Sequence, residues 1–219
     1  MRFHIITIFP DIFDSYLNES IIGRAIKNKY VSFKFYNPRD YVKDKNKTGY
    51  KPVDDKPYGG GPGMVMRAEP ILSAVAKALA DKKAKKGKVL VINFIPTAEK
   101  FTTTLAKNIS KKYTDVILIC GRYEGIDARI DKILKTKKIS IGDYVITGGE
   151  LPAMILIDCI SRQIKGVLGK YESLEEERVS TSEVYTRPEI LKYKGKNYKV
   201  PKVLLSGNHK LIEDWKKKK

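Results

Sequence analysis

Residues 88–120, KVLVINFIPTAEKFTTTLAKNISKKYTDVILIC, contain the clearest pattern of strand, helix and strand in the chain. KVLVINF and DVILIC are short apolar runs typical of buried strands, and residues from about 98 to 112 have helical spacing. A helical crossover of this length joins two parallel strands, because antiparallel neighbours need only a short turn. The stretch therefore predicts a parallel sheet.

The same alternation extends to both sides of this stretch. We expect strands at 3–9 and 31–36, and helices at 14–29, about 68–84 and 150–164, with Asn18 or Ser20 as the cap of the first helix. The segment 37–66 shows no periodicity. The helix at 150–164 is apolar nearly all round, which indicates deep core or a subunit interface. Together these elements predict an α/β fold with a mostly parallel sheet covered by helices on both faces.

Glycine-rich loops follow the predicted strands. Ligands of such sheets bind beyond the carboxyl ends of the strands, where we find FIPTAEK (94–100), CGRYEGID (120–127) and ISIGDYVITGGELP (139–152). A further loop, KPYGGGPGM (56–64), is either a surface turn or a pocket wall made of peptide groups, since glycine lets a ligand approach the backbone closely.

The composition indicates a polyanionic partner and excludes a membrane span. Lys and Arg number 43 against 25 Asp and Glu, a formal charge of +18, although a lysine-rich genome would give the same surface. No apolar run approaches the roughly 20 residues that cross a bilayer. Cys120 and Cys159 lie far apart, which suits a reducing compartment, so we expect a cytoplasmic protein without a zinc site.

Several common chemistries have no motif in this sequence. A P-loop is absent, and Met64 and Met66 stand where the third glycine of a dinucleotide fingerprint would fall. With His4 expected in a strand and His209 in a helix cap, neither a histidine metal site nor a Ser-His-Asp triad has support.

Six motifs in order carry a family resemblance. They are DDKPYGGGPGM (54–64), CGRYEGIDAR (120–129), SIGDYVITGGELPAM (140–154), GVLG (166–169), YTRPE (185–189) and LLSGNH (204–209). In this combination the chain resembles the bacterial tRNA (guanine-N1)-methyltransferases, which belong to the knotted SPOUT class and use S-adenosylmethionine. The resemblance runs from Met1 to about Trp215.

The resemblance implies a domain plan. Residues 1–169 would form the S-adenosylmethionine-binding domain, with a deep trefoil knot at its C-terminal end, which is an exception to the rule that chains avoid knots. Residues 170–184 would be a flexible linker, and 185–219 a short, truncated and mainly helical tRNA-binding domain. Two chains would pair as a homodimer and share each active site.

The resemblance also implies which residues bind. The expected cofactor wall consists of Phe94, Ile95, Pro96, Gly121, Tyr123, Glu124, Ser140, Ile141, Gly142, Tyr144, Ile146, Gly148, Gly149 and Pro152. The expected RNA contacts are Asp54, Lys56, Tyr58, Gly59, Gly60, Gly61, Gly63 and His209, with the glycine loop beside a flipped guanosine.

Two catalytic residues are expected from the family pattern. Arg162, at the end of the apolar helix, would steady the charge that develops on the guanine oxygen. The general base is an aspartate in the family, and the register from GVLG places Glu177 at its position, with Glu175 or Glu176 as alternatives. The resemblance further implies dependence on a divalent ion such as magnesium, but the sequence shows no metal site.

The resemblance thus implies an enzyme that transfers a methyl group from S-adenosylmethionine to N1 of the guanosine immediately 3′ of the anticodon in tRNA. Two alternative functions stay open. One is a dimeric RNA-binding homologue with weak or lost catalysis, because Glu177 replaces an aspartate and Ile95 and Ala98 replace the serine and glycine of a Ser-Pro-x-Gly motif. The other is a related knotted enzyme that acts on ribosomal RNA.

Overall fold

The structure, a computed structural model, describes residues 1–43, 49–81, 87–168 and 183–217. It divides into two compact units, Met1–Leu168 and Gly169–Lys219. Most of the predicted linker lies outside the described residues, so the predicted domain plan stays a prediction. No helix in the described part of the chain is long and apolar enough to span a bilayer.

A five-stranded parallel sheet forms the centre of the first unit. Its order is β2-β1-β6-β5-β7, and every neighbouring pair is parallel, as the sequence predicts. A two-stranded antiparallel hairpin, β3–β4, lies outside it. The strands are β1 (Arg2–Ile6), β2 (Ser32–Tyr36), β3 (Asp54–Asp55), β4 (Val65–Met66), β5 (Val89–Phe94), β6 (Asp115–Ile119) and β7 (Lys137–Ile139).

Helices cover both faces of this sheet. They are α1 (Asp14–Leu17), α2 (Ser20–Lys27), α3 (Ala68–Ala80), α4 (Thr103–Lys112), α5 (Arg129–Leu134) and α6 (Glu150–Arg162), with 3₁₀ turns at Pro10–Phe13 and Pro38–Tyr41. Val116 and Leu118 of β6 pack in a core cluster with α2, α4 and α6, whereas Ile117 and Ile119 pack in a second cluster with α3 and α5. Burial on both faces explains the unbroken apolar run of β6.

Two helix predictions need correction. The helix expected at 14–29 is two helices, because Ser20 has a φ of 50° and the chain turns there. Neither Asn18 nor Ser20 caps α2, whose N-cap is Glu19 without a side-chain hydrogen bond. Helix α4 begins at Thr103 rather than near 98, and the Thr102 hydroxyl caps it by accepting from the Leu105 N–H at 3.2 Å.

His4 lies in β1, as expected, within a buried polar network. One ring nitrogen lies 3.0 Å from the Tyr36 hydroxyl and the other 3.0 Å from Asp115 Oδ1. Arg2 forms a 2.9 Å ion pair with the same carboxylate. Burial alone would raise the pKa of Asp115, but hydrogen bonds from His4, Thr114 and Arg2 outweigh it and hold that pKa below its ordinary value.

The second unit contains a hairpin that the sequence analysis missed. Strands β8 (Ile190–Tyr193) and β9 (Lys196–Lys199) pair antiparallel, and helices α7 (Lys202–Leu205) and α8 (His209–Lys217) follow. The expectation of a mainly helical segment is therefore incomplete. His209 is the first residue of α8 rather than its cap, which is Asn208, since the Asn208 side chain accepts from the Leu211 N–H at 3.2 Å.

Candidate active site

A cavity of about 450 Å³ opens at the carboxyl ends of β5, β6 and β7. The three predicted loops line it, which is where a parallel sheet binds its ligand. The structure brings all the residues of the expected cofactor wall together around this cavity: Phe94, Ile95, Pro96, Gly121, Tyr123, Glu124, Ser140, Ile141, Gly142, Tyr144, Ile146, Gly148, Gly149 and Pro152. That they bind a cofactor stays a prediction.

Backbone hydrogen bonds fix the first and third loops to each other. The Ile95 N–H donates to the Ile139 carbonyl at 3.0 Å, and the Phe101 N–H donates to the Ser140 carbonyl at 2.7 Å. The Ser140 N–H in turn donates to the Glu99 carbonyl at 2.9 Å. The loop after β5 is therefore held in place by the loop after β7.

Gly149 lets the second and third loops approach closely. Its N–H donates to the Gly121 carbonyl at 2.8 Å. A Cβ at Gly149 would lie 2.6 Å from the Cys120 Cα and 2.9 Å from the Gly121 nitrogen, both backbone atoms. Because the φ of Gly149 is −80°, glycine is needed here for space and not for its conformational freedom.

The third loop offers peptide donors and apolar surface to the cavity. Among the described residues, the N–H groups of Tyr144, Ile146 and Gly148 have no hydrogen-bond partner. The apolar side chains of Ile141 and Pro152 also line the cavity. Unpaired donors beside apolar walls suit a flat heterocycle with acceptor atoms on its edge.

Polar side chains that sequence reasoning missed line another part of the cavity. Asn93 pairs in register with Lys138, and both reach Asp131 of α5, at 2.9 Å and 3.2 Å. Burial would raise the pKa of Asp131, but hydrogen bonds from Thr136, Asn93 and Lys138 outweigh it and lower that pKa. These residues could not be predicted as neighbours because the sequence does not show the register between β5 and β7, which places Asn93 beside Lys138, 45 positions later in the chain.

Arg122 is a further cavity residue absent from the prediction. Its Nη2 atom forms a 2.9 Å ion pair with Glu150, the first residue of α6, which is only 1% exposed. The Thr7 hydroxyl donates to the other oxygen of Glu150 at 2.8 Å. Neither motif singles this pair out, because other charged residues stand beside both positions, and only the burial of Glu150 in the structure identifies it.

The glycine loop is the connection of the β3–β4 hairpin, so 37–66 is less irregular than expected. Its end reaches the cavity wall, because the Glu124 N–H donates to the Met64 carbonyl at 3.0 Å. A Cβ at Gly63 would lie 2.6 Å from the Glu124 side chain. Tyr58 is fully exposed.

The remaining RNA-contact candidates divide between the two units. Asp54 lies in β3 and Lys56 in the loop, where Gly59, Gly60, Gly61 and Gly63 all have positive φ. His209 is exposed in the second unit. Their contact with RNA stays a prediction.

Of the two expected catalytic residues, the structure describes only Arg162, which is not among the residues that line the cavity. Arg162 is half-buried at the end of α6, and ten residues separate it from Pro152, which is about 15 Å along a helix. Glu177 lies outside the described residues, as do Glu175 and Glu176. No group of three or more His, Cys, Asp or Glu in the described ranges is arranged to hold a metal ion.

Fold and cavity together define an α/β protein with a cavity of small-molecule size, lined by glycine loops, and without a phosphate-binding motif in its sequence. Comparison with known proteins narrows this class. A family model described as tRNA (Guanine-1)-methyltransferase TrmD matches residues 1–219. The chain therefore belongs to the tRNA (guanine-N1)-methyltransferase family.

Individual relatives agree with this assignment. The chain is 46% identical over 221 residues to the tRNA (guanine-N(1)-)-methyltransferase of Clostridioides difficile, covering 99% of this chain and 91% of the relative. It is 47% identical to the Ruminiclostridium cellulolyticum protein of the same name, covering 99% and 89%. The structure of tRNA (m1G37) methyltransferase from Aquifex aeolicus is similar, with 40% identity and a TM-score of 0.75, over 99% of this chain and 87% of that one.

Proposed function

We propose that this enzyme transfers the methyl group of S-adenosylmethionine to N1 of the guanosine immediately 3′ of the anticodon, position 37, in tRNA. The observation that carries the proposal is the cavity, since every residue that the family pattern assigns to the cofactor lines it. Its volume lies in the range of small-molecule sites. The N–H groups of Tyr144, Ile146 and Gly148, which have no partner within the described part of the chain, suit the acceptor edge of adenine.

The reaction needs a base and a donor beside the guanine. N1 carries a proton at neutral pH, so a base removes it while N1 bonds to the methyl carbon and the carbon–sulfur bond breaks. The bonding electrons return to sulfur, which leaves neutral S-adenosylhomocysteine. We assign the base to Glu177 and stabilisation of the guanine oxygen to Arg162.

The position of Arg162 supports a site shared between two subunits. Arg162 is about 15 Å from Pro152 along α6, too far to act in the cavity of its own chain. An exposed apolar patch of Phe9, Ile12, Tyr16, Leu151 and Ile155 lies on α6 and the 9–16 segment. We propose that two chains pair through this patch, so that each supplies Arg162 and Glu177 to its partner.

The close loop crossings support the knot of the family. Gly149 lies against the Cys120 and Gly121 backbone, while residues 95–101 bond to Ile139 and Ser140. Such crossings are what a chain threaded through its own loop requires. The magnesium dependence and cytoplasmic location implied by the family remain predictions beside this proposal.

Methyl transfer to defined tRNAs tests the function. Purified protein is incubated with labelled S-adenosylmethionine and unmodified tRNA, with a variant carrying adenosine at position 37 as control. Label in the guanosine tRNA alone, mapped to N1 by mass analysis of the nucleoside, is the expected result. Tight binding of both ligands without transfer would instead favour the RNA-binding homologue, and label in ribosomal RNA would favour the other knotted enzyme.

Single substitutions in the linker test the assignment of the base. Glu177→Gln should lower kcat by at least about 100-fold, in line with general-base contributions, with little change in cofactor affinity. Glu175→Gln and Glu176→Gln are matched controls, since each removes the same charge nearby. The largest loss in either control would move the role of base to that residue.

Mixing two inactive variants tests the shared site. Arg162→Ala and Gly149→Val damage opposite ends of α6, and a randomised mixture should regain about a quarter of wild-type activity, because half of the dimers then hold one intact site. Recovery would be absent if one chain supplied both ends of its own site.

A further inference from the structure

Arg122 connects three parts of the cavity wall. Its backbone lies between Gly121 and Tyr123, which both line the cavity. Its side chain reaches Glu150 at 2.9 Å, and Nη1 donates to the Thr147 carbonyl at 3.4 Å. One guanidinium group thus contacts the loop after β7 and the first turn of α6.

The partner of Arg122 is buried too deeply to be solvated. The Glu150 side chain is 2% exposed, and its two oxygens face Arg122 and the Thr7 hydroxyl. A buried carboxylate is costly unless it is paired, and removal of one partner leaves an uncompensated charge. Arg122 and Glu150 therefore fix each other, and Thr7 fixes Glu150 to the end of β1.

Arg122 also fills the space behind Gly148. A Cβ at Gly148 would lie 2.4 Å from the Arg122 Nε atom, so the loop rests directly on the guanidinium. On its other side the guanidinium lies 4.8 Å from the centre of the Phe9 ring, within cation–π distance. Gly148 is thereby held between Arg122 and the cavity.

We propose that Arg122 and Glu150 are positioning residues. They hold the segment Thr147–Gly149 in the position at which the peptide groups of that segment bind the adenine edge of the methyl donor. This inference rests on the proposed function for the identity of the donor. It assigns the pair to binding and not to the chemical step, because the contacts of the guanidinium are with Thr147, Glu150 and Phe9, which shape the cavity wall. Loss of the pair should therefore weaken donor binding more than it slows transfer.

Arg122→Lys tests the proposal with little risk to folding. Lysine keeps a positive charge beside Glu150 but lacks the fork that also reaches Thr147. We expect the KM for S-adenosylmethionine and the Kd for S-adenosylhomocysteine to rise about 10-fold, equal to about 1.4 kcal/mol, while kcat stays within about twofold. Arg129→Lys is the matched control, since Arg129 is exposed and pairs with Asp127 alone among the described residues, and it should leave both constants unchanged.

Glu150→Gln is the second variant. It keeps the side-chain shape and the bond to Thr7 but removes the charge opposite Arg122, so it should raise the same two constants. A kcat loss at unchanged KM in Arg122→Lys would overturn the proposal and make Arg122 a catalytic residue. Unchanged constants in both variants would reduce the pair to a structural element.

The test also separates this inference from the proposed function. If the wild type bound S-adenosylhomocysteine but methylated no tRNA, the proposed function would be wrong. The Kd values of wild type and variants for S-adenosylhomocysteine would still test the positioning role. If the wild type bound neither methyl donor nor product, both would fail.

Discussion

Replacement of Gly149 by alanine tests how the cavity wall is built. The added Cβ would lie 2.6 Å from the Cys120 Cα, about 0.8 Å inside the 3.4 Å at which ordinary contact begins. Neither Cys120 nor Gly121 can move away easily, because the Gly149 N–H bond to Gly121 ties the two loops together. The loops must therefore separate by a good part of an ångström.

We expect this separation to affect stability and binding together. Overpacking of a close contact costs about 1–3 kcal/mol, so the urea midpoint of Gly149→Ala should fall accordingly. The same displacement moves the Gly148 N–H away from its proposed contact with the adenine edge, and a misplacement of about 1 Å can cost roughly 100-fold in catalysis. Urea unfolding and kcat/KM for S-adenosylmethionine measure the two effects.

Gly121→Ala is the matched control. Its Cβ would lie 3.1 Å from the Ile126 side chain, which can turn aside, so the loss of stability should stay below about 1 kcal/mol. An equal loss of stability in the two variants, or a Gly149→Ala protein with wild-type stability and affinity, would refute the argument from backbone contact.

Four further predictions concern other parts of the chain. Asp115→Asn should lower the free energy of unfolding by about 3 kcal/mol at pH 7, because it removes one partner of a buried pair. Folding lowers the pKa of Asp115 from 3.8, so the stabilisation by its ionised carboxylate is fully present above pH 3.8 and is lost as the pH falls through the lower pKa of the folded state. Urea unfolding at decreasing pH should therefore show the difference in unfolding free energy between wild type and Asp115→Asn become smaller. Tyr58→Ala should leave stability within about 0.5 kcal/mol but raise the KM for tRNA at least about fivefold, if the exposed ring stacks on a base. Since the proposed dimer forms through Ile155 and its neighbours, Ile155→Lys should sediment as a monomer at concentrations where the wild type is expected to sediment as a dimer, whereas Leu79→Lys, equally exposed on α3, should not. Ala98→Gly should leave the KM for S-adenosylmethionine within about twofold, because the φ of Ala98 is not positive and the turn is already held by its N–H bond to the Ile95 carbonyl at 3.1 Å.

The central sheet could be predicted because its signal is strong and local. After Asp115, the rest of β6, VILI (116–119), is apolar throughout since the strand is buried on both faces. The loops that follow β5, β6 and β7 could be placed at one edge because parallel strands end there together.

The two wrong helix predictions concern features that the residue pattern does not show: a backbone angle and a contact distant in sequence. The α1–α2 break at Ser20 requires a positive φ, which no residue pattern near it announces. The late start of α4 follows from the bridge between Lys100 and Ser140, in which the Phe101 N–H donates to the Ser140 carbonyl and keeps residues 99–101 out of the helix. The helical spacing of residues 98–112 carries no information about this hydrogen bond to a residue 39 positions away.

The composition of the cavity wall shows why glycine motifs alone describe the site incompletely. The family resemblance predicts that Gly148 and Gly149 face the cofactor, and the structure shows that a side chain at either position would also collide with what lies behind it. Behind Gly149 is backbone, and behind Gly148 is Arg122, whose charge in turn requires Glu150. The glycine loop is thus packed against other residues on the side away from the cavity. Behind Gly148 these are the charged residues Arg122 and Glu150, which a search for glycine motifs does not identify. It follows that a substitution at Glu150, which is buried and lines no part of the cavity, should alter the affinity for a ligand that it does not contact.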